Sequence, residues 1–215
     1  MVETQVETAP DPALLVESGT LPIVETFHSI QGEGFWTGTN AFFVRLAGCD
    51  VGCPWCDTKQ SWSARHHPHR SIPALVAEAV AAQPKIVIVT GGEPLMHNLD
   101  PLTQALHTAG LTIHLETSGS HPWSGEFDWV TFSPKPFKQP DPSIYAHVDE
   151  LKVVIASDSD FDWAEVQAQK VPEGVIQSLQ PEWTDPDNRS RIVEFVLHHP
   201  SWRISLQTHK MLGVR

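Results

Sequence analysis

The sequence predicts an α/β fold with a mostly parallel sheet. Segments rich in β-branched and apolar residues alternate with segments of helical pattern from residue 21 to the C-terminus. The run Lys85–Thr90 is almost continuously apolar, which is typical of a buried parallel strand. Six polar or glycine-rich groups each follow the carboxyl end of a predicted strand. Because parallel α/β sheets gather their ligand sites at that edge, these groups are expected to meet in one cavity.

Two strands are predicted in the N-terminal part of the chain, over Leu21–His28 and Ala41–Ala47. Gly32 and Gly34, between them, allow backbone conformations that other residues resist. Arg45 is the charged residue of the second strand, and burying its charge is costly without a partner. An edge strand with Arg45 in solvent is one interpretation. A guanidinium that points inward and bonds a carboxylate with two parallel hydrogen bonds is the favoured one.

The middle of the chain alternates helices with strands. A Ser71 cap and an early proline predict a helix over Ala74–Gln83, and Gly110 predicts the end of a second helix over Leu99–Ala109. The predicted strands are Lys85–Thr90, Leu111–Glu116 and Trp129–Phe132.

The C-terminal part repeats the alternation after a proline-rich stretch, Pro136–His147, which is predicted to be loop. The predicted strands are Glu150–Ile155, Gly174–Leu179 and Trp202–Leu206. The predicted helices are Asp160–Lys170 and Asp187–His199.

Composition limits the possible functions. The chain has 215 residues, 40% of them hydrophobic and 19% charged, which suits one soluble domain over residues 21–215 after a flexible leader over residues 1–20. A net charge of −12 argues against binding nucleic acid, whose phosphates require clustered lysine and arginine. No secretory signal and no membrane-spanning run is apparent, so we expect a cytoplasmic protein without a membrane partner.

All three cysteines of the protein lie in one C-x3-C-x2-C segment, at Cys49, Cys53 and Cys56. A structural zinc site uses four ligands and a disulfide framework uses an even number of cysteines, so neither fits three thiols directly. Zinc with a histidine as fourth ligand is an open alternative, since three histidines follow closely: His66, His67 and His69. An iron–sulfur cluster with one position left for another ligand is the favoured interpretation.

The cysteine spacing, with Trp55 before the last cysteine, resembles the radical S-adenosylmethionine (SAM) superfamily. Six further motifs narrow the resemblance to one family within this superfamily. They are SIQGEG before the cysteines, CDT beginning at the last cysteine, and TGGEP, ETSG, SPK and QTHK further on. Together they resemble the family of 7-carboxy-7-deazaguanine synthases of queuosine precursor biosynthesis, from about residue 22 to the C-terminus. Only the short cluster loop is a departure from some members, and it leaves the local fold around Cys49 open.

This resemblance implies a compact, incomplete (β/α) barrel, a homodimer, and an external one-electron donor of the flavodoxin or ferredoxin type. It implies conversion of 6-carboxy-5,6,7,8-tetrahydropterin to 7-carboxy-7-deazaguanine with loss of ammonia. The reaction is begun by a 5′-deoxyadenosyl radical that removes hydrogen from C6. The cofactor generates the radical, so no side chain is assigned a catalytic role.

The resemblance also assigns cofactor sites. The three cysteines are expected to hold a [4Fe-4S] cluster, and Thr58 is expected to bind Mg²⁺. The residues expected to contact SAM are Trp55, Cys56, Asp57, Gly92, Glu93, Ser133, Pro134, Lys135, Gln180 and Pro181. Glu116 and Ser118 are expected in the same cavity, although caps at a strand end would explain them nearly as well.

For the pterin, the resemblance makes Arg45 the partner of the substrate carboxylate. The other expected substrate contacts are Ile30, Gln31, Gly32, Glu33, Thr90, His209 and Arg215. A frayed C-terminus is the alternative for the last two. The three histidines after the cluster loop have no role in the family and are interpreted as a solvated loop.

Two further functions remain open on sequence grounds. A glycyl-radical-enzyme activase shares the cysteine spacing but not QGEG, CDT or QTHK. A non-catalytic zinc or iron–sulfur module would share only the cysteines.

Overall fold

The computed structural model describes residues 19–215, and the predicted leader therefore lies almost wholly outside the described residues. The strands are β1 (Thr20–Ile30), β2 (Asn40–Leu46), β3 (His69–Ser71), β4 (Ile86–Gly91), β5 (Ile113–Thr117), β6 (Trp129–Phe132), β7 (Glu150–Ile155), β8 (Ile176–Pro181) and β9 (Trp202–Ile204). The helices are α1 (Ile72–Ala82), α2 (Asp100–Thr108), α3 (Ser159–Ala168), α4 (Asp187–His198) and α5 (Thr208–Leu212).

All nine strands form one sheet in the order β3-β1-β2-β4-β5-β6-β7-β8-β9. From β2 to β9 every neighbouring pair is parallel. β1 runs antiparallel to both of its neighbours, β2 and β3. The two edge strands, β3 and β9, do not pair with each other, so the sheet is an incomplete barrel, and the predicted α/β fold class is confirmed.

Most predicted elements are present within one or two residues of their expected bounds. Ser71 is the N-cap residue of α1 as predicted, although its side chain makes no capping hydrogen bond, and Pro73 lies in the first turn. Gly110 has a φ of +75°, the left-handed conformation expected at a helix end. The elements that were not predicted are short: β3, α5 and four 3-10 helices in the described residues. One of these, Pro142–His147, corrects the prediction of a loop over Pro136–His147.

The outer face of the sheet packs against the helices. Fully buried side chains such as Val44, Val89 and Leu115 meet Leu75 of α1 and Leu102 of α2 in the main hydrophobic core. This core fixes the curvature of the sheet because each parallel strand contributes alternate residues to it.

The inner face is apolar toward the amino ends of β2 and β4, where Ala41, Phe43, Ile86 and Ile88 form a second buried cluster, and it is polar toward the carboxyl ends. Because side chains alternate across a strand, the neighbours of the core residues point into the barrel: Thr90 on β4, Glu116 on β5, Thr131 on β6, Lys152 on β7 and Gln180 on β8. Among residues 19–215, no helix is both long and apolar enough to cross a membrane.

Candidate active site

The carboxyl ends of the parallel strands open into a cavity of about 640 Å³. Every residue predicted to bind the cluster, SAM, Mg²⁺ or the substrate lines this cavity except Pro134. The carbonyl of Pro134 instead accepts a hydrogen bond from the indole of Trp163, at 3.4 Å. The convergence predicted from the strand ends is thus present in the fold.

The cluster loop, Cys49–Cys56, leaves the end of β2. Backbone bonds fix its start, since the amide of Gly48 donates to Ser61 (2.7 Å) and that of Cys49 to Trp62 (3.1 Å). All three cysteines are free and partly buried. The amide of Thr58 donates to the sulfur of Cys56 at 3.4 Å, as amides do toward metal-bound thiolates. Burial raises the pKa values of Cys49 and Cys53.

Asp50 ties the cluster loop to two other strand ends. Its carboxylate accepts a hydrogen bond from His121, after β5, at 3.0 Å and from Lys138, after β6, at 2.5 Å. Both contacts hold the pKa of Asp50 below its usual value against the opposing effect of burial. The sequence did not predict these two contacts of Asp50.

Two of the three histidines after the cluster loop are engaged away from the cysteines, and the third, His66, is exposed. His67 bonds the carbonyl of Gln60 (2.8 Å), and His69 lies on β3 and bonds Thr20 (3.2 Å). Within residues 19–215, no group of three or more His, Cys, Asp or Glu side chains is arranged as a site for a single metal ion. The structure therefore gives no support to a zinc site shared between the cysteines and a histidine.

The GGEP segment at the end of β4 packs against the start of the cluster loop. The amide of Gly92 donates to Leu46 (2.9 Å), and the amide of Glu93 donates to Gly48 (2.7 Å). Glu93 itself is 1% exposed, and its carboxylate accepts from the amide of Leu95 (3.0 Å), the hydroxyl of Thr117, and the amide and hydroxyl of Ser118 (2.8 and 2.5 Å). Four donors satisfy both oxygens, so the Glu93 side chain joins the GGEP segment to the end of β5, while its amide holds Gly48 before the cluster loop.

The SPK segment follows β6. The ammonium of Lys135 donates to the hydroxyl of Ser133 at 2.6 Å and lies 5.7 Å from the centre of the Trp55 ring. Burial lowers the pKa of Lys135 to about 8. A cation held beside the cluster loop suits the carboxylate of a small ligand.

Arg45 points into the cavity and has a carboxylate partner within the protein, as favoured, but the expected pair of parallel hydrogen bonds is wrong, because a single bond joins the two side chains. Its Nε donates to Glu25 at 3.1 Å, and its side chain is 20% exposed. Glu25 lies opposite Arg45 in the β1–β2 pairing. Only Nε is bonded to a described side chain, so the terminal guanidinium nitrogens remain for a ligand.

A network of amide, hydroxyl and carboxylate groups forms the adjoining wall. The side chain of Gln31 donates to Glu116 at 2.7 Å, and the hydroxyl of Thr90 donates to the other oxygen of Glu116 at 3.2 Å. Glu116 was expected in the cavity, and the structure places it between two predicted substrate residues.

Glu33 forms a buried ion pair with Lys152, whose side chain is 6% exposed. Burial alone would raise the pKa of Glu33, but Lys152 and a hydrogen bond from Gln207 (2.7 Å) lower it to about 2. Burial would likewise lower the pKa of Lys152, but Glu33 and then Glu116 raise it above its usual value. Both groups are therefore charged at neutral pH.

The C-terminal segment covers one side of the cavity. The amide and hydroxyl of Thr208 donate to the carbonyl of Gly32, at 2.9 and 3.0 Å. The ring of His209 occupies the space where a Cβ on Gly32 would lie, so this position requires glycine. Arg215 pairs with Glu25 and lines the cavity, which favours a contact at this site over a frayed C-terminus.

Gln180 and Pro181, at the end of β8, also reach the cavity. Gln180 is 4% exposed and accepts a hydrogen bond from Ser205 at 2.9 Å. The hydroxyl of Ser205 in turn accepts from the amide of Gly34 at 2.9 Å. β8 is thereby linked to the QGEG loop across the open side of the barrel.

Sequence reasoning assigned no individual role to several polar residues of the cavity wall, among them Thr131, Lys152, Gln207 and Lys210. Gln207 and Lys210 belong to the QTHK group, which was expected at the cavity only as a whole. A signal existed for Lys152. Glu150 and Lys152 alternate with apolar residues on a predicted strand, a spacing that places both charges on the inner face.

Comparison with known proteins agrees with this geometry. The Radical SAM superfamily model matches residues 44–130, which include the cluster loop and the GGEP segment. The chain is 56% identical over 194 residues to a 7-carboxy-7-deazaguanine synthase from Synechocystis sp., covering 90% of this chain and 93% of the relative. A relative of the same name from Flavobacterium psychrophilum is 46% identical over 203 residues, covering 94% of this chain and 96% of that protein. The crystal structure of QueE from Escherichia coli has a TM-score of 0.80 at 29% identity, covering 93% of this chain and 99% of that one.

The fold and the cysteine site define a radical SAM enzyme, with a [4Fe-4S] cluster and SAM as its cofactors. The identities place the chain more narrowly. It belongs to the 7-carboxy-7-deazaguanine synthase family. The activase and zinc-module alternatives are not supported.

The described residues fit these cofactors. Three free thiols face a cavity that also contains Lys135 and the closely packed backbone of Gly92. Three thiolates suit a cluster that keeps one coordination position for a ligand that is not a protein side chain.

Proposed function

We propose that this chain converts 6-carboxy-5,6,7,8-tetrahydropterin to 7-carboxy-7-deazaguanine with release of ammonia. The observation that carries the proposal is one cavity lined both by three free thiols and by an arginine whose terminal nitrogens bond no side chain among the described residues. When bound, the cluster and SAM supply hydrogen-atom abstraction at C6. The chain binds and orients both molecules and excludes water from them.

At the cluster end, Cys49, Cys53 and Cys56 would hold the irons. Lys135 and Ser133 are assigned to the carboxylate and ribose of SAM, which the partly buried ammonium of Lys135 beside the Ser133 hydroxyl supports. The residues assigned to the rest of SAM are Trp55, Asp57, Gly92, Glu93, Gln180 and Pro181. Because the carboxylate of Glu93 already accepts four hydrogen bonds, its role is to hold the backbone of Gly92 in place for the amino group of SAM.

At the substrate end, Arg45 would bind the 6-carboxylate through its terminal nitrogens, while Glu25 keeps its Nε fixed. Gln31, Thr90 and Glu116 offer donors and acceptors for the polar edge of the pterin. Ile30, Gly32, Glu33, His209 and Arg215 complete the assigned substrate contacts.

Thr58 is assigned to Mg²⁺. Its hydroxyl lies on the cavity wall and donates to Asp57 at 3.1 Å, so an oxygen pair is present at this point. Magnesium prefers oxygen ligands and keeps several waters, so one hydroxyl together with substrate oxygens is sufficient.

We also infer a homodimer, a cytoplasmic location and a one-electron donor of the flavodoxin or ferredoxin type. The exposed Met211 and Leu212, at 57% and 65%, support contact with a second copy. Three unpaired thiols support a reducing compartment. Light scattering of the purified protein would test the dimer.

The decisive experiment is anaerobic reconstitution of the cluster, followed by addition of SAM, Mg²⁺, a reductant and 6-carboxytetrahydropterin. Formation of 7-carboxy-7-deazaguanine is expected. An intact cluster that cleaves SAM without forming this product would contradict the substrate assignment.

A further inference from the structure

The C-terminal residues Gln207–Lys210 lie between the two ends of the cavity. Thr208 fixes this segment to the QGEG loop through two hydrogen bonds to the carbonyl of Gly32, at 2.9 and 3.0 Å. Helix α5 begins at Thr208, and its first turn places the side chain of Lys210 beside Asp57, directly after the cluster loop.

The ammonium of Lys210 makes three contacts. It lies 3.1 Å from a carboxylate oxygen of Asp57, donates to the side-chain oxygen of Gln207 at 2.9 Å, and sits 5.2 Å from the centre of the Trp183 ring. Asp57 lies between the last cysteine and Thr58, whose hydroxyl donates to its other oxygen at 3.1 Å. Lys210 therefore orients the residues that directly follow the cluster.

Gln207 continues the path to the substrate end. Its amide nitrogen donates to Glu33 at 2.7 Å, and the other oxygen of Glu33 bonds Lys152. The backbone amide of Glu33 donates to the side chain of Gln31 at 3.0 Å. The two side chains of the C-terminal segment thus join Asp57 to a buried ion pair and to a predicted pterin contact.

We propose that Lys210 and Gln207 are positioning residues that fix the distance between the SAM end and the pterin end of the cavity. The inference rests on the proposed function. Hydrogen transfer requires reacting atoms about 3–3.5 Å apart, and a displacement of about 1 Å can cost about 100-fold in rate. The loop at Asp57, which is assigned to SAM, and the QGEG loop, which is assigned to the pterin, must therefore be held at a fixed distance from each other.

The solvent exposure of Lys210 and Asp57 indicates that their contact aligns the reactants and contributes little to the stability of the fold. The side chains of Lys210 and Asp57 are 23% and 60% exposed. Pairs this accessible to solvent contribute little to the free energy of unfolding. Removing the Lys210 ammonium should therefore leave the fold and the cluster intact and change only the alignment of the reactants.

The test uses the reconstituted holoenzyme with Lys210→Met, Lys210→Arg and Gln207→Ala, and with Lys85→Met as a matched control at an exposed lysine before β4. Lys210→Met and Gln207→Ala are expected to raise the KM for the pterin and to lower the product formed per SAM cleaved, by about 10-fold or more. Lys210→Arg should recover part of this ratio, since a guanidinium can reach the same two acceptors. The control should match the wild type.

Two measurements that do not depend on turnover complete the test. The iron content and the melting temperature of Lys210→Met should equal those of the wild type, while the change in the EPR spectrum of the reduced cluster on SAM binding should differ. The double variant Asp57→Asn/Lys210→Met should be no worse than the worse of its two single variants, because both changes break the same link.

The outcomes distinguish the two proposals. A wild-type enzyme that forms no 7-carboxy-7-deazaguanine contradicts the proposed function. An active wild type together with Lys210→Met and Gln207→Ala variants of unchanged KM and unchanged product per SAM contradicts the positioning role. Loss of iron or a lowered melting temperature in Lys210→Met would also contradict it, since the role would then be structural.

Discussion

Gly92 packs directly against the carbonyl of Gly48, at the point where the cluster loop leaves β2. A Cβ on Gly92 would lie closer than 3.0 Å to both the oxygen and the carbon of that carbonyl, a separation that real Cβ atoms essentially never show. The next amide, that of Glu93, donates to the same oxygen at 2.7 Å. Gly48, directly before the cluster loop, and Gly92, the second glycine of the GGEP segment, are therefore in backbone contact.

Gly92→Ala should displace the cluster loop, because two backbones must separate to admit the methyl group. Overpacking of this kind costs about 1–3 kcal/mol, and we expect a lower iron content and a SAM dissociation constant raised about 10-fold or more. Iron analysis and anaerobic SAM titration measure both. Gly19→Ala is the control, because a Cβ there meets nothing within 4 Å. Equal SAM affinity in both variants would contradict the packing argument.

Cys53→Ala should prevent cluster loading. The remaining two thiols cannot hold the irons that three thiolates hold, so the visible absorbance and the bound iron and sulfide should be lost after reconstitution. Ser190→Ala, on the exposed face of α4, serves as a control that should load normally. Full iron in the Cys53→Ala protein would show that another residue ligates the cluster.

Arg45→Ala should mainly weaken pterin binding. Hydrogen bonds between charged groups contribute about 1.5–3 kcal/mol, so a KM increase of roughly 10- to 100-fold is expected with a smaller change in kcat. Tetrahydropterin without the carboxylate should bind wild type and variant alike. Arg203→Ala, an exposed arginine on β9, should behave as the wild type. An unchanged KM for the carboxylated substrate would remove Arg45 from the carboxylate site.

Lys152→Met should destabilise the holoenzyme by about 3–5 kcal/mol, because it leaves the buried carboxylate of Glu33 without its counter-ion. With Lys152 gone, burial becomes the dominant influence on Glu33 and raises its pKa above the ordinary 4.5. A folded-state pKa above the unfolded value means that stability is lost as pH rises. The deficit relative to wild type, measured by urea unfolding, should therefore grow as the pH rises from about 4.5 through the raised pKa of Glu33.

The matched control is the double variant Glu33→Gln/Lys152→Met, which contains neither charge. Its stability relative to wild type should not change over the same range. In the wild type the pKa of Glu33 is about 2, so the stabilisation from its ionised form is present above pH 4.5 and is lost only on acidification toward pH 2. A deficit in Lys152→Met that is constant with pH would contradict the uncompensated charge.

Short elements were the main gap between sequence and fold. β3 has three residues, His69–Ser71, and becomes a strand only through its pairing with Thr20–Pro22 of β1. α5 has five residues, and its first residue, Thr208, is bonded to Gly32 of the QGEG loop. Neither has enough residues for a period of hydrophobic side chains to be visible, so tertiary contact alone produces them.

The sequence by itself determined the sheet, the strand ends that carry chemistry and the three thiols, because these follow from local patterns and from the shared edge of parallel strands. Only the tertiary structure decided which charges meet. Glu33 and Lys152, Arg45 and Glu25, and Lys210 and Asp57 are separated by between 20 and about 150 residues of chain. Their pairing depends on the curvature of the sheet and on the course of the C-terminal segment, which no local pattern encodes.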